Sequence, residues 1–261
     1  LNQSVALARA GAEVYHAGAI GTDGEMLREQ LAASGAHLDY LQTLDMPSGH
    51  TALQVTPDGQ NCIIVCAGSN AQLTEDYIDS VLAHFGAGDV MLVQNEVSNV
   101  PYILRQAKAR GLKVAFNASP ITATILSYPL ELVDYYLVNE TEGRTLSGCD
   151  ATDYETILAA LHEKFPAAAI VLTVGSDGVL YQCGDERYAH GIYRVQAVDT
   201  TGAGDTFCGF FLASLAKGLS VPQALENASL ASALAVSRAG ACDSIPTWAE
   251  MEAFAKTAQA K

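Results

Sequence analysis

Strand-length apolar runs recur along the chain and alternate with segments of helical pattern. The runs cover residues 14–20, 90–94, 112–116, 133–138 and 169–174. Continuous apolar runs of this length are typical of strands that are covered on both faces. Because strands alternating with helices form βαβ units, the pattern predicts an α/β fold: a doubly wound, mostly parallel sheet with helices on both faces.

Two capping boxes indicate where helices begin between these strands. Thr152 precedes Glu155 by three residues, and Thr247 precedes Glu250 by the same spacing. In a capping box, the first side chain accepts a backbone N–H of the first turn, and the acidic side chain returns to the backbone of the cap. We therefore predict helix starts after Thr152 and after Thr247.

One segment departs from the βαβ rhythm. Residues 50–55 and 61–66 both have strand patterns, and Pro57-Asp58-Gly59 between them supplies hairpin-turn residues. We predict a small β flap or lid at about residues 45–66, standing apart from the main sheet. The alternative is an ordinary hairpin at the edge of that sheet. No linker-like stretch appears, so residues 1–261 are predicted to form a single domain.

Composition excludes several classes of protein. The net charge of −15 disfavours binding to nucleic acids and to anionic membranes. No apolar run reaches the roughly 18 residues that cross a bilayer, and the chain does not open with a signal-peptide pattern. The six cysteines are scattered without CxxC pairs, which favours reduced thiols. These features predict a cytoplasmic protein.

The most informative motif is the string Asp199-Thr200-Thr201-Gly202-Ala203-Gly204-Asp205-Thr206-Phe207, which leads into an apolar run of helical period. Small residues at a helix start leave backbone N–H groups uncovered, and the helix dipole adds positive potential there. Gly202, Ala203 and Gly204 are therefore predicted to form an anion hole that is suited to phosphate.

Asp205 lies on the same turn as this predicted anion hole. A carboxylate beside a phosphoryl group is explained if it takes the proton from an attacking hydroxyl, the role of a general base. The alternative is that Asp205 only caps the helix. The whole nine-residue string favours the general base.

Polar residues also follow the predicted strands. Glu96 follows the run 90–94, Asn117 follows 112–116, Asn139 follows 133–138, and Thr173 and Gly175 lie at the end of 169–174. In open α/β sheets, ligands bind beyond the carboxyl ends of the strands. Any one of these residues is explained as a turn or a cap, but together they predict a binding site at this edge.

The nine-residue string resembles the C-terminal signature of the PfkB carbohydrate kinase family, the ribokinase-like kinases. Further segments resemble the family in the same order along the chain: Ala67-Gly68-Ser69-Asn70, Asn139-Glu140-Thr141-Glu142, Thr173-Val174-Gly175-Ser176-Asp177-Gly178 and Val236-Ser237-Arg238-Ala239-Gly240-Ala241. The resemblance implies an ATP-dependent sugar kinase, with ribose as the first expectation for the acceptor and fructose as the second.

The resemblance also implies roles for individual residues. The acceptor is expected at Glu96 and Asp205, and Glu142 is expected to act on Mg²⁺ through water. The nucleotide is expected at Asn139, Thr173, Gly175, Gly178, Gly204 and Ser229, although many relatives carry Asn where this chain has Ser229.

Many ribokinase-like enzymes are activated by a monovalent cation. The positions that match its ligands are Asp199, Thr201, Ala235, Arg238, Gly240 and Ser244, mostly through main-chain carbonyl oxygens. Such oxygens suit a weakly hydrated ion, and we expect activation by K⁺. The alternative is that Asp199 and Ser244 only tie two loops together by hydrogen bonds.

Family members usually begin with a strand and a Gly-Gly-Lys-Gly-type motif ahead of the residue matched here by Asn2, and neither is present. We therefore expect a longer parent protein.

The intact Gly202-Ala203-Gly204-Asp205 run favours a kinase over a non-catalytic sugar or nucleotide-binding regulator. A nicotinamide-dependent oxidoreductase is disfavoured because the glycines lack GxGxxG spacing after a first strand. A homodimer through the flap is a further expectation from the resemblance.

Overall fold

The fold is built on a central sheet flanked by helices, in a computed structural model that describes residues 1–55 and 61–259. The strands are β1 (Gly18–Gly21), β2 (Leu41–Leu44), β3 (His50–Val55), β4 (Asn61–Cys66), β5 (Val90–Gln94), β6 (Lys113–Asn117), β7 (Tyr135–Asn139), β8 (Ala169–Thr173), β9 (Val179–Cys183) and β10 (Glu186–His190). The helices are α1 (Asn2–Arg9), α2 (Glu25–Ser34), α3 (Glu75–Leu82), α4 (Val100–Ala109), α5 (Glu140–Ser147), α6 (Tyr154–Lys164), α7 (Ala203–Ala216), α8 (Val221–Val236) and α9 (Trp248–Ala255). Within this described part of the chain, no helix has both the length and the apolarity that crossing a membrane requires.

The central sheet has six strands in the order β10-β9-β8-β7-β6-β5. Strands β5 to β8 are parallel, whereas β9 pairs antiparallel with both β8 and β10. The predicted mostly parallel α/β sheet is confirmed. The antiparallel pair at its edge was not predicted from the sequence.

Side chains of the central strands alternate between two cores. Leu137 packs with residues of α1, α7 and α8, while its neighbours Tyr136 and Val138 pack with residues of α4, α5 and α6. Successive residues of a strand point to opposite faces, so each face of the sheet is covered by its own helices. This is why the sequence shows continuous apolar runs rather than alternation.

Helices α1 and α7 pack unusually closely, at Gly209. A Cβ atom added at Gly209 would lie 2.4 Å from the Ala6 Cβ and 2.8 Å from the Leu7 backbone nitrogen. Atoms at these distances overlap, so the missing side chain is what lets the two helices approach. The close contact sets the distance between α1 and α7 at this point.

Strands β3 and β4 form a separate antiparallel hairpin, with His50 opposite Cys66 and Val55 opposite Asn61. The strand boundaries match the predicted flap, and the hairpin stands apart from the central sheet. The predicted turn Pro57-Asp58-Gly59 lies outside the described residues. At the base of the flap, the Asp23 carboxylate accepts hydrogen bonds from the Ser48 amide (2.8 Å) and hydroxyl (2.7 Å).

Within residues 1–55 and 61–259, β5 is an edge strand of the central sheet, because β1 pairs there only with β2, in a small parallel sheet of its own. Val90 at the start of β5 is 48% exposed. An unpaired strand edge presents free backbone donors and acceptors. The run 90–94, which reads as a buried strand, is therefore only partly covered among the described residues.

The two predicted helix starts differ in outcome. At α9, Thr247 and Glu250 form the predicted capping box. At α6 the prediction is wrong by one residue, because Asp153 is the cap and its side chain accepts the Thr156 N–H. Aspartate is at least as good an N-cap as threonine, which explains the shift.

His16 gives the fold an acid-sensitive point. It is partly buried beside Ser4, with 2.7 Å between the Nδ1 and Oγ atoms, and burial lowers the pKa of His16 to about 4. The unfolded chain therefore binds a proton near pH 6.5 that the folded chain rejects until about pH 4, so folding stability falls as the pH drops through this window. We expect this histidine to account for a loss of up to about 3 kcal/mol. The free energy of unfolding of the His16→Gln variant, measured with urea, should not show that loss between pH 7 and pH 4.5.

The exposed His84 supplies the control for this measurement. The substitution His84→Gln should leave the pH dependence of the wild-type protein unchanged. An equal loss of stability in wild type and His16→Gln between the two pH values would contradict the assignment.

Candidate active site

A large cleft lies at the carboxyl ends of the parallel strands, with a volume of about 1030 Å³. It brings together twelve of the residues predicted from the sequence: Glu96, Asn117, Asn139, Glu142, Thr173, Gly175, Gly178, Gly202, Ala203, Gly204, Asp205 and Ser229. A cleft at this edge is where open α/β sheets bind ligands. The six predicted cation ligands are not among the residues that line it, although their neighbours Thr200 and Val236 are.

The start of α7 forms one wall of the cleft. Gly202 caps the helix in the left-handed region, at φ 75°. The Ala203 N–H donates to the Thr200 carbonyl (3.2 Å), so this amide is already occupied. In the described structure, the Gly204 and Asp205 amides make no hydrogen bond to protein acceptors. The anion hole that we predict therefore draws its donors from these two amides rather than from Ala203.

Gly204 leaves open space in front of these amides. A Cβ atom added there would meet no atom within 4 Å. An oxyanion has room to approach the helix start, where the partial positive charge of the dipole is concentrated.

Asp205 is half-buried in the cleft wall and does not turn into the core. Its Oδ2 atom accepts a hydrogen bond from the Asn2 Nδ2 atom at 3.0 Å. Glu96 lines the same cleft; burial raises the pKa of its carboxyl, and the nearby Asp205 carboxylate adds to this increase. Two carboxyl groups thus share the cleft with two backbone amides that donate to no acceptor in the described structure. This arrangement suits proton transfer beside an anion.

Asn139 and Glu142 connect the end of β7 with the start of α5. The Asn139 side chain accepts the Thr141 and Glu142 N–H groups, and the Glu142 carboxylate accepts the Asn139 N–H at 3.0 Å. Burial raises the pKa of the Glu142 carboxyl, and the hydrogen bond from the Asn139 backbone opposes the rise. Both side chains are held by this capping box while they line the cleft.

The segment that follows β8 also lines the cleft. Thr173 donates to the Val138 carbonyl (3.3 Å), and Gly178 adopts φ 102°. A Cβ atom at Gly178 would lie 2.1 Å from the His190 carbonyl oxygen, so only glycine fits there. Ser229 of α8 lines the cleft, whereas Asn227 bonds Ser214 on α7 and does not.

The predicted cation ligands lie on two loops that the fold brings together. The Asp199 carboxylate accepts hydrogen bonds from the Thr201 hydroxyl and amide and from the Gly240 N–H, and these bonds lower the pKa of Asp199. Ser244 donates to the Ala241 carbonyl within its own loop. Asp199 therefore ties the two loops together, as the alternative interpretation expected, while Ser244 does not bridge them.

Comparison with known proteins identifies the chain. The model of the pfkB family carbohydrate kinases matches residues 1–248. The chain belongs to the PfkB family. The ribokinase of Haemophilus influenzae is 34% identical over 263 residues, covering 97% of this chain and 85% of the relative.

Two solved structures resemble this PfkB kinase over nearly all of its length. The ribokinase of Cryptococcus neoformans in complex with ADP has a TM-score of 0.83 and 31% identity, covering 97% of this chain and 86% of that one. The ribokinase of Arabidopsis thaliana, solved with ribose and ATP, has a TM-score of 0.87 and 28% identity, covering 98% and 86%. The predicted family and fold are confirmed.

Sequence reasoning did not assign a role to Asn2 in this PfkB kinase. Asn2 and Asp205 are 203 residues apart, and their contact depends on the close packing of α1 against α7. The available signal was the family resemblance, in which Asn2 matches the residue that follows the Gly-Gly-Lys-Gly-type motif.

Proposed function

We propose that the chain transfers the γ-phosphoryl group of ATP to a primary hydroxyl of ribose, giving ribose 5-phosphate and ADP. The observation that carries this proposal is the position of Asp205, which is half-buried in the cleft. In the described structure, its own backbone amide and that of Gly204 donate to no protein acceptor. The names of the relatives support ribose over fructose, since the matching proteins from Haemophilus influenzae and Arabidopsis thaliana are ribokinases. Fructose or another sugar or nucleoside remains the second candidate acceptor.

In the proposed reaction, Asp205 takes the proton of the acceptor hydroxyl as the oxygen attacks the γ-phosphorus. The bond between the γ-phosphorus and the bridging oxygen breaks, and the electron pair leaves with ADP. The Gly204 and Asp205 amides then lie where negative charge develops on the transferred group. Asn2 keeps one carboxylate oxygen of Asp205 occupied, which leaves the other to receive the proton.

The cleft also has residues that suit a magnesium nucleotide. When bound, Mg²⁺ would neutralise charge on the phosphates while keeping much of its water shell. Glu142 fits this requirement through water, because its carboxylate is buried and already accepts the Asn139 N–H. Thr173, Gly175, Gly178 and Ser229 are proposed to line the nucleotide part of the cleft.

The loops around Asp199 suit a monovalent cation such as K⁺. In the described part of the chain, the carbonyl oxygens of Thr201, Arg238 and Gly240 accept no hydrogen bond, whereas the Ala235 carbonyl accepts the Arg238 N–H. Neutral carbonyl oxygens are the ligands that a weakly hydrated ion prefers. We propose that these three oxygens, with Asp199, contribute most to that site.

A panel of ribose, deoxyribose, fructose and adenosine, assayed with Mg·ATP, tests the proposed function. We expect the highest kcat/KM with ribose, and faster turnover in K⁺ than in an equal concentration of Na⁺. Loss of turnover on chelation of Mg²⁺ is expected as well. A non-catalytic regulator would bind ADP and a sugar in calorimetry but would form no sugar phosphate with any acceptor.

We also propose a cytoplasmic homodimer that associates through the flap. The flap exposes the apolar side chains of Ile64 and Val65, which suits a contact between two copies. The free cysteines of the described structure suit a reducing compartment. Sedimentation equilibrium, which reports molar mass, distinguishes one copy from two.

A further inference from the structure

Three side-chain amides form a cluster between α1 and the strand ends. The Asn117 Oδ1 atom accepts hydrogen bonds from the Gln3 Nε2 atom (3.0 Å) and from the Gln94 Nε2 atom (2.8 Å). The Asn117 Nδ2 atom donates to the Leu137 carbonyl at 2.6 Å. Gln94 and Asn117 line the cleft, and Gln3 lies behind them.

The hydrogen bonds fix the orientation of the Asn117 amide. Flipping it would place its NH₂ group against two donors and its oxygen against the Leu137 carbonyl. Gln3 is only 6% exposed, so water cannot readily replace its partner. A buried amide that loses its partner is costly, and the cluster therefore holds one geometry.

Asn2 and Gln3 are adjacent in the first turn of α1, so a hydrogen bond that fixes the position of one residue also restrains the other. Gln3 is bonded to Asn117, and the adjacent Asn2 is bonded to Asp205.

We propose that Gln3 and Asn117 are positioning residues that hold Asn2 against Asp205. This inference rests on the proposed function, in which Asp205 is the base. The same Asn117 oxygen also accepts a hydrogen bond from Gln94, which lies two residues before Glu96. One amide thus contacts both α1, which carries the hydrogen-bond partner of Asp205, and β5, which leads to Glu96.

A double-mutant cycle in the full chain tests the inference. Gln3→Met keeps the length of the side chain and removes its donor. We expect kcat with the sugar acceptor to fall about 10-fold in Gln3→Met and about 30-fold in Asn2→Ala, with KM for ATP unchanged. Because both substitutions remove the same contact with Asp205, the double variant should match Asn2→Ala within about twofold. Multiplied effects, or wild-type kcat in Gln3→Met, would overturn the proposal.

Leu7→Ala is the matched control. Leu7 lies in the same helix and packs against the core, so this variant loses stability without touching the amide cluster. Its effect on kcat should be small and should multiply with that of Asn2→Ala. A Leu7→Ala variant that reproduced the behaviour of Gln3→Met would reduce the role of Gln3 to helix stability and overturn the inference.

A second measurement does not need turnover. With selective ¹⁵N-asparagine labelling, the side-chain amide signals of Asn2 and Asn117 should both shift in Gln3→Met, and both should stay in place in Leu7→Ala. An unmoved Asn2 signal in Gln3→Met would overturn the proposal. If no sugar is phosphorylated by the wild-type protein, the proposed function fails, while this measurement still decides whether Gln3 positions Asn2.

Discussion

Replacing Asp205 by asparagine is expected to lower kcat by about 10³-fold while leaving nucleotide affinity nearly unchanged. A general base contributes about 10²–10⁴-fold to rate, and asparagine has nearly the same size but cannot take the proton. A 10³-fold loss corresponds to about 4 kcal/mol of transition-state stabilisation. Steady-state kinetics with the preferred acceptor gives kcat, and calorimetry with ADP gives the nucleotide affinity.

The Asp205→Asn variant keeps a side-chain oxygen that can accept the hydrogen bond from Asn2, so the first turn of α1 should stay in place. Asp150→Asn is the matched control, because Asp150 is an exposed carboxylate outside the cleft. It should show wild-type kinetics. Near-normal turnover in Asp205→Asn would return Asp205 to the role of a helix-capping residue.

A leucine at Gly204 is expected to reduce kcat/KM by at least about 10²-fold without destabilising the fold. The added side chain enters open space in front of the Gly204 and Asp205 amides, which is where the transferred phosphoryl oxygens are proposed to lie. Loss of one oxyanion donor costs about 10²–10³-fold in other enzymes. Gly204 lies within α7, so leucine should raise the helix propensity at that position.

We therefore expect substitutions at Gly204 to lower kcat/KM without lowering the melting temperature. Gly204→Ala should have an intermediate effect on kcat/KM, and the melting temperature of both variants should equal or exceed that of the wild type. Ala216→Leu, at the exposed far end of α7, adds similar bulk away from the cleft and should leave the kinetics unchanged. Wild-type kcat/KM in Gly204→Leu would exclude these amides from phosphate binding.

Much of the fold follows from the sequence, because the central strands are covered on both faces. Residues 90–94 form β5 as predicted, and β6 begins one residue later than the apolar run 112–116. The run 14–20 yields only Gly18–Gly21, because the residues before it pair through a single bridge, Tyr15 to His37. The edge pair β9 and β10 was missed, although Gly184 and Asp185 form the two-residue turn between them.

The residues of the candidate site were easier to predict than their contacts. The glycine string and the polar strand ends identify which side chains line the cleft, since the parallel topology brings strand ends to one edge. Sequence could not indicate that the Ala203 amide is taken by Thr200, nor that Asn2 meets Asp205. Those facts depend on the local path of a turn and on how closely two helices approach, which pattern alone does not specify.

The spacing between α1 and α7 at Gly209 has a consequence for variation in this protein. Even one methyl group there would push α1 outward, and the start of that helix carries Asn2. Position 209 should therefore tolerate almost no substitution, although it lies on a buried face and touches no reactant. In a mutational survey scored by growth or turnover, it would look like a catalytic position, and only a measurement of interhelical geometry would reveal that it acts as a spacer.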